Sequence, residues 1–212
     1  MLKILISGFM PFDQETINPS FEAIKNILIN NTVLRLIPLE LPVEFSQSTK
    51  IILEKINEIH PDVILMIGQA GGRKYISLER IAINLDDATI PDNIGHKPID
   101  QQIINDAPSA YFQTLPIKKL YVALKEKDIP VEVSNTAGTY VCNHIMYSVL
   151  HHLTVTKDHA IAGFIHVPYS HEQTQNKPNA FSISLKKITS ALEIIIQTLI
   201  EENKWKNILY QN

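Results

Sequence analysis

Three residues of this chain could together carry out acyl transfer through sulfur: Cys142, His166 and Glu79. Cys142 is the one cysteine in 212 residues and lies in the stretch Ser134-Asn135-Thr136-Ala137-Gly138-Thr139-Tyr140-Val141-Cys142-Asn143-His144. A thiol attacks as thiolate, and an imidazole can take its proton and later protonate a leaving amine near neutral pH. A carboxylate on the far ring nitrogen fixes the tautomer and stabilises the imidazolium. Each residue also has a plainer reading. A lone cysteine is commonly a small buried hydrophobe, and His166 taken alone reads more readily as a satisfied core histidine. Glu79 with Arg80 reads as a surface ion pair on an exposed edge. His144 is the rival base, but two residues along a helix start it points to a different side from Cys142, so His166 is preferred. None of His60, His96, His144, His151, His152, His159 and His171 shows metal-ligand spacing with acids or thiols.

The elements that must position these residues follow from the apolar pattern. Leu2 to Ser7, Asp62 to Gly68 and Ala160 to Val167 read as buried strands. Thr32 to Leu41, Tyr75 to Asn84 and Pro130 to Asn135 are further strands. Helices are expected from Asn18-Pro19-Ser20, over Pro42 to Ile59, over most of Ala107 to Lys127, over Asn143 to Leu153 and over Ser182 to Asn203. Cys142 then falls where a strand–loop unit turns into a helix. Unpaired N–H groups and the helix dipole there would lower its pKa, and Gly138 permits a backbone turn that a side chain would forbid.

Strands alternating with helices throughout predict a three-layer α/β/α sandwich around a largely parallel twisted sheet, formed as one domain over residues 1–212. In such folds the site lies beyond the carboxyl ends of the strands. The Phe9/Phe12 loop, the Gln69 turn and His166 all fall at such ends. The turn Gly68-Gln69-Ala70-Gly71-Gly72-Arg73 matches neither the dinucleotide fingerprint nor the P-loop, so mobility beside a site is expected of it rather than phosphate binding.

A formal charge of −3, from 19 basic and 22 acidic side chains, gives no electrostatic case for nucleic acid. No apolar run approaches the roughly 20 residues of a membrane helix, and Met1 to Gly8 is too short for a signal peptide. A single cysteine suits a reducing compartment. The expectation is a cytoplasmic protein that binds neither nucleic acid nor membrane.

Six short segments, taken together, resemble the pyroglutamyl peptidase I family of cysteine peptidases, also called pyrrolidone-carboxylate peptidases. They are Ser7-Gly8-Phe9 with Pro11-Phe12, Asn18-Pro19-Ser20, Glu79-Arg80-Ile81-Ala82, Ile90-Pro91-Asp92-Asn93, Ala137 to Asn143, and Gly163 to Pro168. The resemblance implies that Cys142 is the nucleophile, that His166 is the general base and acid, and that Glu79 orients His166. It implies removal of N-terminal pyroglutamate (5-oxoproline) from peptides through a thioester, in a homo-oligomer, commonly a tetramer, with no cofactor or metal. It suggests Phe9 and Phe12 as walls of the lactam pocket, and Gln69 is a candidate partner for the lactam amide. Two positions depart from the family: Thr89 stands where arginine is usual, and Asp13-Gln14 stand where a glycine pair is common. The first bears on charge near the site or a subunit contact, the second on mobility of the Phe12 loop. Two other classes stay open, a weakly catalytic pyroglutamate-binding relative and a different α/β hydrolase or nucleoside-processing enzyme sharing the layered fold.

Overall fold

The computed structural model describes residues 1–209, and the side chains of residues 1–202. Residues 210–212, which the single-domain expectation includes, lie outside the described residues. The chain runs β1 (Leu2–Phe9), α1 (Pro19–Lys25), β2 (Leu34–Leu41), α2 (Phe45–Ile59), β3 (Val63–Gln69), β4 (Ile76–Glu79), β5 (Ile81–Ile83), β6 (Ala110–Phe112), α3 (Ile117–Lys125), β7 (Val131–Ser134), α4 (Val141–Thr156), β8 (Ile161–Val167) and α5 (Leu185–Leu209). A short 3-10 turn, His171–Thr174, follows β8.

The main sheet has six strands in the order β2-β1-β3-β8-β4-β7. Its pairings are parallel except for β4 against β8. Strands buried on both faces need apolar residues at every position, and β3 (Val63-Ile64-Leu65-Met66-Ile67) supplies them with no break in burial. Alternate residues feed two cores. Val63, Leu65 and Ile67 pack with α1, α3 and α5; Ile64 and Met66 pack with α2 and α4. The expected three layers are present. Among the described residues no helix is long and apolar enough to cross a membrane.

Several boundaries differ from the sequence reading, each for a physical reason. The run Tyr75 to Asn84 is two strands in two sheets: after Glu79 the chain leaves the main sheet, and Ile81–Ile83 pairs antiparallel with β6 instead. Ala107 to Lys127 is helical only from Ile117. Pro108 and Pro116 bracket its first half, and Ala110-Tyr111-Phe112 is drawn into the small sheet. Helix α4 begins at Val141 rather than Asn143, which puts Cys142 inside its first turn. The last helix begins at Leu185, so Ile183 joins the core from the preceding loop. Glu79 is not on an exposed edge: β4 lies between β8 and β7, and the residue has no solvent exposure.

Asn143 joins the small sheet to α4. Its Oδ1 accepts from Ile83 N, and its Nδ2 donates to the carbonyls of Ile83 and Leu85, each at 2.9 Å. The side chain, fully buried, satisfies three backbone groups that would otherwise be orphaned. Asn143→Ala should therefore lower the unfolding free energy by roughly 2–4 kcal/mol, because each unpaired buried group carries its own desolvation penalty. Urea denaturation measures this, and a loss below about 0.5 kcal/mol would mean that water replaces all three bonds.

Candidate active site

The antiparallel junction of β4 and β8 builds the acid–base pair. Glu79 is registered with Phe164, and Ser77 with His166. Residues two apart on a strand share a face, so Glu79 and His166 are diagonal neighbours on the α2/α4 side. His166 Nδ1 donates to Glu79 Oε1 at 2.7 Å, with both side chains buried. This bond places the imidazole proton on Nδ1 and leaves Nε2 as the free base. Arg73 Nη1 also donates to Glu79 Oε1, while Nη2 donates to the carbonyl of Thr136 at 2.9 Å. Arg73 thus ties the acid to the loop before α4. The turn from Gly68 to Arg73 is stitched at both ends, Ala70 N to Val167 O and Arg73 N to Ala70 O.

Cys142 approaches the same patch from above. A Cβ on Gly68 would lie 2.6 Å from the Phe164 ring and 2.9 Å from Cys142 Sγ. The sulfur therefore rests on the bare backbone of Gly68, which is registered with His166 on the adjoining strand. His144 is directed elsewhere: its Nδ1 meets Asp86 Oδ2 at 2.7 Å, and its ring sits edge-on to Phe45. Gly138, with φ +79° and open space around a would-be Cβ, makes the turn into the helix.

The start of α4 lacks a side-chain cap, because Tyr140 occupies the N-cap position. By contrast, Asn18 caps α1 with a bond from Ser20 N. The N–H groups of the first turn of α4 are thus left for another acceptor.

A small pocket of about 30 Å³ opens on Cys142, lined by Phe9, Phe12, Asn18, Val43, Gln69, Tyr140 and Val141. Phe9, Phe12 and Gln69 are brought together as the topology anticipated. Tyr140, Val43, Val141 and Asn18 were not identified as pocket residues from the sequence. Tyr140 had a signal in its place two residues before the cysteine; its ring centroid lies 6.3 Å from that of Phe12. The lining carries no charged side chain. Asp13 and Gln14, the second departure from the resemblance, both take left-handed backbone, with φ 50° and 62°. That conformation is why glycine suits the two positions. Arg73 was the main omission of the sequence reading, since nothing in a glycine-rich turn announces an ion pair with a strand glutamate.

The electrostatics run against one expectation. Burial pushes the Cys142 thiol up, the Glu79 charge adds to this, and Arg73 and a backbone hydrogen bond do not offset them, so the thiol stands at about 12. Burial likewise pulls His166 below its usual 6.5, against the pull of Glu79. Burial pushes the Glu79 carboxyl up, but the bond from His166 prevails, aided by Ser134 and Arg73, and it stays below 4.5. The resting site thus pairs a neutral thiol with a neutral imidazole beside an ionised carboxylate. Such a site can move a proton from sulfur to nitrogen as attack begins.

The fold and site define a layered α/β protein with a cysteine on an uncharged pocket and a histidine–carboxylate pair on the strands beneath it. The family model for pyroglutamyl peptidase matches residues 2–202. A pyrrolidone-carboxylate peptidase of Brachyspira hyodysenteriae is 49% identical over 197 residues, covering 93% of this chain and 98% of its own. A Caldanaerobacter subterraneus pyrrolidone-carboxylate peptidase 1 is 48% identical over 200 residues, covering 94% and 98%. The crystal structure of pyroglutamyl peptidase I from Bacillus amyloliquefaciens superposes with a TM-score of 0.89 at 43% identity, covering 93% of this chain and 94% of that one. A mutant pyrrolidone carboxyl peptidase from Pyrococcus furiosus gives 0.90 at 40% identity, covering 95% and 99%. The chain belongs to the pyroglutamyl peptidase family.

The shifted groups give stability a pH signature. An unfolded thiol ionises near 9.0, whereas the folded one keeps its proton to about 12. The native state then binds more protons, so stability falls as pH rises through that window. On the acid side the folded pKa values of His166 and Glu79 lie below the ordinary 6.5 and 4.5. There the unfolded state binds more protons, and stability falls as pH drops below each value. Tyr140, also raised to about 12 chiefly by burial, adds to the alkaline limb. Thermal unfolding of the native chain and Cys142→Ala, compared above about pH 9, should show a shallower fall in the variant. Identical alkaline limbs would mean that the folded thiol ionises freely.

Proposed function

We propose that this chain is a cysteine exopeptidase that removes N-terminal pyroglutamate from peptides, with Cys142 as nucleophile, His166 as general base and acid, and Glu79 as the residue that orients His166. One observation carries the reading: Cys142 Sγ rests on Gly68, beside a Glu79-held His166, at the base of an uncharged aromatic pocket. As Sγ attacks the pyroglutamyl carbonyl, its proton passes to His166 Nε2. The Glu79 carboxylate stabilises the imidazolium that forms. The developing oxyanion is met by the uncapped N–H groups at the start of α4. Imidazolium then protonates the departing amine, the C–N bond breaks, and a thioester remains on sulfur. Water, deprotonated by His166, hydrolyses it to pyroglutamate and free thiol.

The pocket accounts for selectivity. Phe9, Phe12 and Tyr140 wall a space suited to a flat, uncharged lactam ring, and a glutamate at that position would leave its charges desolvated and unpaired. Gln69 hydrogen bonds the lactam amide. Thr89 is exposed, and the cation that touches the acid is Arg73, which supports activity despite the departure at residue 89. The family match over residues 2–202 supports one catalytic unit spanning 1–212. A cytoplasmic homo-oligomer, commonly a tetramer in the family, is the accompanying reading, supported by the resemblance and by the single cysteine.

Release of a chromophore from a pyroglutamyl amide, with a prolyl amide as control, tests the function. The native chain should turn over the first and not the second. Cys142→Ser and His166→Ala should each lower kcat/KM by at least about a thousandfold. Glu79→Gln should cost less than either, because it keeps the shape and loses the charge. Turnover surviving loss of Cys142 would refute the mechanism.

A further inference from the structure

We propose that Gln173 is a specificity-positioning residue, which fixes the Gln69 carboxamide so that its Nε2, and not its Oε1, faces the ring pocket. The inference rests on the functional reading above. Gln173 stands on the 3-10 turn after β8 and is largely buried. Its Oε1 accepts from Ser170 N at 3.1 Å. Its Nε2 faces Gln69 Oε1 at 2.9 Å, the carbonyl of Ile17 at 3.2 Å and Glu15 Oε2 at 3.2 Å. Turned over, the amide would set its NH2 against the Ser170 N–H and its oxygen against Ile17 O and the Glu15 carboxylate. Three contacts independent of Gln69 therefore fix which end of Gln173 is the donor.

Gln69 must then offer its oxygen to Gln173. Its Nε2 donates to no protein group among the described residues and belongs to a side chain that lines the pocket. The pocket thus presents an N–H donor of set polarity, suited to an acceptor on the ring such as the lactam carbonyl. A ring with a methylene at that place leaves the donor unpaired, which discriminates strongly. Glu15, also tied to Lys177, lies on the Phe12 loop, so the same hub connects the aromatic wall to the polar floor.

A double-mutant cycle with Gln69→Met and Gln173→Met, read on the pyroglutamyl amide, tests this. Gln173→Met should lower kcat/KM by about tenfold, mostly through KM, and should add nothing in the Gln69→Met background. Iodoacetamide should still alkylate Cys142 at the native rate, although the melting temperature should fall, because Ser170 N, Ile17 O and Glu15 each lose a partner. Gln173→Glu, which turns an acceptor toward Gln69, should cost more than Gln173→Met and narrow the preference over the prolyl amide. An additive cycle, a loss confined to kcat, or slowed alkylation would overturn the assignment. So would two variants that fail to fold, which would make Gln173 a structural post. Native activity unchanged in Gln173→Met overturns this inference alone. A native chain inactive on the pyroglutamyl amide overturns the functional reading and this inference with it.

Discussion

A glutamate with no solvent exposure constrains everything around it. Its charge is tolerable in a core only where donors meet it, and Glu79 has two, His166 and Arg73, on one oxygen. To supply them, β4 must run against β8 so that residues two apart in register face each other diagonally. The turn after β3 must bring Arg73 back over the sheet. The loop before α4 must offer Thr136 to the guanidinium. The single antiparallel pairing of the main sheet is thus the one that carries the acid–base pair.

The second constraint is the sulfur. A helix start favours a thiolate, yet here the surroundings favour the neutral thiol. Partial burial beside Gly68 and the nearby Glu79 charge outweigh the helix. In the proposed mechanism the N–H groups left uncapped at Tyr140 act as donors to charge that appears on the substrate rather than as acidifiers of the thiol.

Much of this was legible in the sequence. Unbroken apolar runs named the central strands, Asn18-Pro19 marked a helix start, and topology alone drew Phe9, Phe12, Gln69 and His166 to one end of the sheet. The rest depended on partners distant in sequence. Local pattern cannot tell that the strand ending at Glu79 turns antiparallel, that Arg73 folds onto it, or that Gln173 reaches Gln69 across 104 residues. The helix misread before Pro116 failed because a three-residue strand takes its stability from its partner, β5, rather than from its own propensity. The thiol was misjudged because burial depth is a tertiary quantity.

The most direct test is to trap the intermediate. The native chain, acid-quenched during turnover of a pyroglutamyl ester or amide, should yield a peptide containing Cys142 that carries one pyroglutamyl group, labile to hydroxylamine. The adduct should be absent from Cys142→Ser digested in the same way. Turnover with no acyl group on Cys142, or with the group on another side chain, would contradict the account.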